Sequence, residues 1–565
     1  MAQRVCIVGG GATGVALLWL LAKTQQRHPT SQYEITLVHD VLLTDQNGQP
    51  QPGVPSLGGH SRSVAVEVNG TEYWIDLGVQ MIAPAMYPNL MCMLKLPEFS
   101  GVQMDPVPLR VSCAFPPDAA GGPARYWGNF PSYQATPLYT QRAGDAGTFE
   151  SLMKTQPMLP TSLQVLLDVQ QTRFNDYQDF LTYFLDPYLS IMNGYGAALL
   201  DQIYVPEAAF LFDRNYASFT DWSSNFMRFH YGAAQWVQTM AQDAVNLMPK
   251  GSVNIVTGAS VTHVYPGPNG PSVVWEIGGN TQAPQIFDSV VLTTDMDTNG
   301  DLLLGPENPR ADFYADYVGQ NIWGLIPGYC YLHQDSSILA PGMPSPPEET
   351  LQFTAYWATQ TPPFDLTKSW TTYSYKNLMG VADPDFEYYL TMYGFDPSTT
   401  PGVRVPNNPV PPTPMNWKHG MWLPSFMWHQ KVRMRNAQGV SPYVAPLPTQ
   451  EDTHIYFAGN NLTMDSEEGA LVSAMAVARY AFNVDPLAIV LGRTGLFDSQ
   501  GIVARVFYLA MYNLMFPGLD FNIADIAKSL LSLRAPLHQN LHRLWQSSHR
   551  QIWPPRGIPR WARWR

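Results

Sequence analysis

Apolar positions in this chain gather into short runs whose period changes from one stretch to the next. Arg4–Val8 is a continuous apolar run rich in β-branched residues, which predicts a buried strand. The stretch VALLWLLAKTQQ that follows carries apolar residues on most faces of a 3.6-residue turn, predicting a helix buried nearly all round. Tyr33–Val38 (YEITLV) returns to the strand pattern and ends at His39-Asp40. Further strands are expected in Val253–Val264, Asp288–Thr293, Leu351–Ala358, Ser369–Tyr375 and His454–Gly459. Leu163–Met192 reads as helical, and Val503–Phe516 as a strongly apolar helix. Strands alternating with helices at the N-terminus predict an α/β class with a parallel sheet.

Composition narrows the picture. Charged residues make up 14% of the 565 and hydrophobic ones 45%, the opposite of a disordered chain. The length suffices for one very large core or for two to three lobes. Cys6, Cys92, Cys113 and Cys330 lie far apart, without metal-ligand or disulfide spacing, and read as buried thiols of a reducing compartment. No metal site is expected. A net charge of −13 argues against a general nucleic-acid binder. Residues 1–8 run directly into the first strand, so no separate leader is expected. Val15–Ala22 is too short to span a membrane and Gly501–Phe516 is interrupted by Arg505. The expectation is a cytoplasmic protein.

Between the first strand and helix stands GGGATG, in which Gly9, Gly11 and Gly14 fit G-x-G-x-x-G. In a strand–turn–helix–strand context this is a dinucleotide-binding turn. The first glycine permits the turn, the second admits a pyrophosphate to the backbone, and the third lets helix and strand pack. The helix start, with Ala12 and Thr13, then faces the phosphates. An acidic residue is expected on the ribose at the end of the second strand, where His39 stands, with Asp40 beside it.

Downstream come Gly58-Gly59-His60-Ser61-Arg62 and then Trp74-Ile75-Asp76-Leu77-Gly78. In the C-terminal half, His454–Gly459 (HIYFAG) leads through Asn460 to Glu467-Glu468-Gly469-Ala470, which opens a small-residue helix. Between them lie Gly232–Thr239, Val253–Val264 and Asp288–Thr293. In this order the segments resemble the flavin-containing amine oxidase superfamily of FAD-dependent oxidoreductases. Its pattern has the glycine turn, a GG doublet, a DLG strand and an FAG–EGA segment. More narrowly, Tyr87-Pro88-Asn89-Leu90, Tyr331–Asp335 and Thr372–Met379 resemble bacterial predicted NAD/FAD-binding flavoproteins of that superfamily. The resemblance implies FAD as cofactor, held by Gly9, Gly11, Ala12, Thr13, Gly14, His39, Asp40, Gly58, Gly59, His60, Ser61, Arg62, Val261, Gly459, Asn460, Glu467, Glu468, Gly469 and Ala470. It implies backbone contact to the adenine side at Val261, and a helix N-terminus at 467–470 for the flavin. Two departures stand out: His39 and Asn460 occupy positions where the family carries acids.

The implied architecture is a Rossmann-like, two-lobed, amine-oxidase-like fold. Residues 1–90, 230–300 and 450–485 form a discontinuous FAD-binding domain. Residues 91–229 and 301–449 form an inserted α+β substrate domain. Residues 486–565 form a C-terminal helical segment and basic tail. From Ile526 to Arg565 the chain carries eight Lys/Arg and no Asp or Glu, interleaved with Trp545, Trp553, Trp561 and Trp564. Such a segment suits an anionic bilayer surface, placing the protein peripherally on a membrane. The alternative folds it back on the acidic body. A homodimer is left open.

Three functions follow. The first is amine or amino-acid oxidation by hydride transfer to the flavin N5 with O2 as acceptor. It calls for a lysine near N5 (Lys376 or Lys418) and, for an amino acid, an arginine (Arg433 or Arg435). The second is desaturation or isomerisation of an unsaturated fatty acid or lipid, for which a low charge content is suited. The third is a non-catalytic flavoprotein subunit. In either catalytic case His333 and Asp335, two apart on a strand, would form an acid/base pair on one face.

Overall fold

The computed structural model describes residues 2–30, 32–40, 42–44, 50–55, 57–115, 125–128, 137–156, 162–193, 205, 208, 226–303, 325–339, 351–354, 368–410, 415–420, 454–460, 463, 466–492 and 499–515. Five strands form a parallel sheet in the order Val253–Thr257, Tyr33–His39, Gln3–Val8, Ser289–Leu292, Ile455–Phe457. They come from both ends and the middle of the chain. The central strand is buried at every position from Val5 to Val8, as its unbroken apolar run requires. The first helix, Ala12–Arg27, is buried from Ala12 through Ala22 and packs against helices Ala234–Leu247 and Glu467–Phe482. Its polar tip is tied down by Asp243, which accepts from Trp19 Nε1 at 2.8 Å and pairs with Lys23 at 2.8 Å.

A second sheet of seven strands has the order Met415–Gly420, Leu325–His333, Tyr389–Tyr393, Trp370–Ser374, Leu351–Thr354, Val111–Phe115, Arg125–Gly128. Register places Cys113, Phe353, Thr371, Met392 and Cys330 in one row on one face. Helices Pro137–Thr155, Leu163–Gln170 and Asp186–Asn193 share the apolar cluster on that face with Phe149, Leu166 and Leu189. The opposite face carries a buried polar row of Ser112, Gln352, Thr372, Thr391 and Tyr331.

Sequence and structure differ in three places. Leu163–Met192 is not one helix. Asn175 and Asp176 turn to Asp145, whose carboxylate accepts from the Asn175 N–H at 2.7 Å, and Asp176 caps a new helix by accepting from Asp179 N–H. A π-helical turn, Leu181–Leu185, then leads into Asp186–Asn193. The second difference is at the C-terminal boundary. Helix Ser499–Met515 is not separate: Ala504, Tyr508, Leu509 and Tyr512 enter the core of the nucleotide lobe. Its apolar character is therefore explained by packing. No helix among the described residues is long and apolar enough to cross a membrane. The Arg/Trp tail from 516 onward lies outside the described residues. Third, the hairpin Ser63–Val68/Thr71–Asp76 contributes Val66 and Ile75 to the core of the second sheet rather than the first.

Two buried carboxylates hold helices in place. Glu468 accepts from Asn89 N–H at 3.0 Å, Asn89 Nδ2 at 2.7 Å and Leu90 N–H at 2.9 Å, capping the helix Pro88–Met93. Asn89 Nδ2 also reaches Ala504 O at 3.1 Å, so three helices meet at one carboxylate. Asp76 accepts from Ser63 Oγ at 2.6 Å and Ala233 N–H at 2.6 Å, at the start of helix Ala234–Leu247. Burial pushes each carboxyl up to about 7 despite these donors.

A folded-state pKa above the unfolded value means that the folded form retains protons which the unfolded chain releases. The stabilisation is fully present below the unfolded values of 3.8 for Asp76 and 4.5 for Glu468, and is lost as pH rises to about 7. Thermal unfolding is expected to fall in temperature between pH 5 and pH 8, and a rise over that interval would contradict the assignment. Glu468→Ala leaves three N–H groups without their acceptor and is expected to cost about 3 kcal/mol in urea unfolding.

Candidate functional site

The site is assembled where two glycine-bearing loops meet at the carboxyl end of the parallel sheet. The turn after the first strand is closed by Gly9 N–H donating to Val38 O at 2.9 Å. Thr293, just beyond the fourth strand of the sheet, donates its hydroxyl to Val8 O at 2.9 Å and Gly9 O at 3.0 Å. The doublet loop is held against this turn by Gly58 N–H donating to Gly10 O at 2.9 Å. A Cβ on Gly11 would have only Gly59 Cα near it, at 3.8 Å, and Gly59 is itself exposed with φ +59°. A Cβ on Gly14, by contrast, would lie 2.0 Å from Gly9 O. Gly11 therefore keeps an approach open, whereas Gly14 keeps helix and strand in contact.

Helix Ala12–Arg27 begins at this approach with no side-chain cap and no acid in its first turn. Three N–H groups at the positive end of a buried helix thus face a bare-backbone cradle, the donor set a diphosphate takes. Glycines 9, 11, 14, 58 and 59, with Ala12 and Thr13, come together as the sequence predicts.

The second loop continues toward helix Glu467–Phe482. Ser61 Oγ donates to Glu467 Oε1 at 2.5 Å, which joins the doublet loop to the start of helix Glu467–Phe482. Arg62 N–H donates to His60 O at 2.8 Å, and Leu77 N–H to Arg62 O at 2.8 Å, bringing the DLG strand alongside. Burial lowers the Arg62 guanidinium from its usual basicity. Asn460 O accepts from Thr463 N–H, and Gly459 N–H donates to Ser473 Oγ at 3.0 Å. Val261 lies in strand Ala259–Tyr265 at a register shift and packs on the nucleotide-lobe core.

Several expected roles are corrected. His39 replaces the acid but is turned inward: its Nδ1 accepts from Gly10 N–H at 3.3 Å, so the neutral ring carries its proton on Nε2. Asp40 beside it is exposed. The Glu468 carboxylate is taken up by the neighbouring helix. Gly469 N–H is taken by Ser466 Oγ at 3.1 Å and Ala470 N–H by Ser466 O at 2.9 Å.

The catalytic candidates do not assemble. His333 Nε2 is 2.8 Å from Thr391 Oγ1, and its Nδ1 accepts from Asp335 N–H at 3.1 Å. Burial lowers its pKa to about 4, keeping it neutral. The Asp335 carboxylate instead accepts from Ser337 N–H, Asn407 N–H and Asn407 Nδ2, bonds that hold it at about 2. No acid/base pair results, and His333 shares the face of Tyr331, opposite the one that meets the DLG strand. Lys376 donates to Pro384 O at 3.1 Å on the exposed side of the substrate lobe. The side chain of Lys418, and Arg433 and Arg435 entirely, lie outside the described residues.

The seven-stranded sheet meets the other lobe at the DLG strand and the residues just after it. Cys330 Sγ lies 3.5 Å from Leu77 O, Tyr375 OH donates to Asp76 O, and Gln80 Nε2 lies 3.6 Å from Met392 Sδ. The five strands Val111–Phe115, Leu325–His333, Leu351–Thr354, Trp370–Ser374 and Tyr389–Tyr393 contain no Asp, Glu, Lys or Arg. Sequence reading missed Gly10, where a Cβ would sit 2.7 Å from His39 Cγ, and it missed Gln80. The third consecutive glycine was a usable signal for the first; a glutamine in an apolar run was one for the second.

A protein from Exiguobacterium sp. 255-15 provisionally named a protoporphyrinogen oxidase superposes with a TM-score of 0.50 at 13% identity, covering 86% of this chain and 99% of that one. The chain has an amine-oxidase-like fold. An oxidoreductase from Methanosarcina mazei gives a TM-score of 0.49 at 14% identity, over 84% of this chain and 100% of that one. A CLA-producing fatty acid isomerase from P. acnes gives 0.49 at 13% identity, over 85% and 98%. No family model and no curated protein sequence matches the chain. Within the amine-oxidase-like fold the two glycine loops occupy the carboxyl edge of the sheet, where such sheets take their ligands.

Two substitutions separate cradle from scaffold. Gly11→Ala is expected to leave the unfolding midpoint of the cofactor-free protein within about 0.5 kcal/mol while abolishing retention of flavin on gel filtration. Gly14→Ala is expected to prevent soluble folding.

Proposed function

We propose that this protein is an FAD-dependent oxidoreductase that removes a hydride from an amine carried on an apolar body, with O2 as final acceptor. The observation that carries the cofactor is the uncapped start of helix Ala12–Arg27 over the bare backbones of Gly11 and Gly59. In this reading the N–H groups of Ala12, Thr13 and Gly14 hold the diphosphate and Arg62 adds positive charge. Asp40 takes the ribose, and the N–H groups of Glu467 and Glu468 lie toward the flavin end. When bound, FAD supplies the two-electron acceptor.

The chain's own part in the reaction is orientation and exclusion of water. The Cys113–Phe353–Thr371–Met392–Cys330 row and the neighbouring Tyr373 and Leu390 form an uncharged, fully buried wall that backs the DLG strand and keeps that side of the site apolar. Such a wall disfavours an ammonium and favours the neutral amine, whose lone pair assists departure of the hydride. The same wall also suits a double bond in a lipid chain. No described lysine is placed on it, since Lys376 is at the surface, and this specific absence favours carbon–carbon chemistry as the second reading.

The visible spectrum of the purified protein, followed anaerobically, tests both. Flavin bands bleached by pooled alkyl amines support the proposal. Bleaching or a shift with unsaturated fatty acids alone transfers the assignment to the second reading, and absence of flavin bands removes the cofactor. Lys376→Ala is expected to change the reduction rate less than twofold, because its ammonium is engaged with Pro384 O in an exposed position.

A further inference from the structure

Helix Ser499–Met515 has two faces. Packing accounts for the inward one, where Ala504, Tyr508, Leu509 and Tyr512 are buried. On the outward one stand Ile502, Val503 and Val506, at i, i+1 and i+4, and all three are partly exposed. The helix carries no Asp or Glu, and its single charged residue, Arg505, is exposed on one flank of that face. On the other flank the exposed Lys95 donates to Gln500 Oε1. Branched aliphatics set between cations, with no acid, are the composition of a helix face that lies on an anionic interface.

The chain beyond this helix has the same character. From Ile526 to Arg565 it holds eight Lys/Arg and no Asp or Glu, although the whole chain carries −13. Trp545, Trp553, Trp561 and Trp564 are interleaved with these cations, most densely where Arg560, Arg563 and Arg565 alternate with Trp561 and Trp564. Tryptophan settles at headgroup level, with its ring against acyl chains and its N–H toward water, and arginine pairs with phosphate. We propose that residues 516–565 and the outward face of helix Ser499–Met515 dock together on an anionic phospholipid bilayer. Three aliphatic side chains alone bury too little surface for retention, and a basic segment alone is released by salt; the two signals on one stretch of chain reinforce each other. No spanning helix is required, and none is present among the described residues. Folding the tail back over this face would set its cations against Lys95 and Arg505. A nucleic acid would use the arginines and the indole rings but gives Ile502, Val503 and Val506 no role. The proposal is independent of the cofactor and of the amine reading.

The test is flotation of the purified full chain with vesicles of phosphatidylcholine alone or mixed with phosphatidylglycerol. Recovery with the mixed vesicles is expected to exceed that with neutral ones at least about tenfold. The difference is expected to vanish in about 1 M NaCl, where screening cuts the reach of a charge to about 3 Å. Combined Arg556→Ser, Arg560→Ser, Arg563→Ser and Arg565→Ser is expected to lower recovery with mixed vesicles at least about tenfold, at unchanged flavin retention. Ile502→Asn with Val506→Asn is expected to lower it at least about threefold at an unchanged unfolding midpoint, and Val503→Gln is the second variant should that pair not fold. Equal recovery with neutral and mixed vesicles, or none with either, overturns the proposal. Helix variants that float like wild type overturn the part given to the helix face. Capture of single-stranded RNA without vesicle binding overturns it in favour of a nucleic acid. An arginine variant that unfolds more readily, in a chain that ignores vesicles, overturns it in favour of a tail packed on the body.

Discussion

The arrangement depends on a set of unsatisfied donors. A buried helix must find partners for its first N–H groups, and several helices here find them on a capping side chain: Ser466 caps Glu467–Phe482, and Asp485 caps the short helix after it. Helix Ala12–Arg27 does not. Its start is buried, and it is bordered by two loops whose glycine backbones face each other, so that a Cβ on Gly11 would stand 3.8 Å from Gly59 Cα. An anion is the simplest partner for such an end, and the surrounding loops leave room for one.

Around that end, acids are used as fasteners rather than as chemistry. Glu468, Asp76 and Glu467 each bond across lobes or between helices, and none is placed on the substrate wall. This division explains why the sheet strands can be free of charge. The polar work of holding the lobes together is carried out at helix starts, where N–H donors make a buried carboxylate tolerable. The wall is then free to be apolar, with the Gln80 amide as a polar feature at its edge.

Much of this was legible in the residues. The strand–turn–helix unit, the GG and DLG segments and the C-terminal strand-plus-helix were readable because glycine spacing and apolar runs are local properties. The catalytic reading failed for a physical reason. His333 ends its strand and Asp335 starts the turn after it, and their partners, Thr391 and Asn407, come from segments far away in sequence. Likewise Glu467 and Glu468 look alike in the sequence, yet one meets Ser61 and the other Asn89, a difference set wholly by tertiary packing.

The strand order has a consequence for how the molecule is made. The first strand begins at Gln3, whereas the outermost strand of the same sheet begins at Ile455. On the ribosome, the N-terminal strand and glycine turn must wait for nearly the whole chain before the edge beyond Ser289–Leu292 is covered and helix Ala12–Arg27 gains its contact with Glu467–Phe482. Pairings this remote close slowly and expose an apolar edge meanwhile. The nucleotide lobe is therefore the last part to be completed, not the first, and the inserted sheet, whose strands lie between Val111 and Gly420, has the opportunity to form before it. Assembly of this protein thus runs from the inside of the sequence outward.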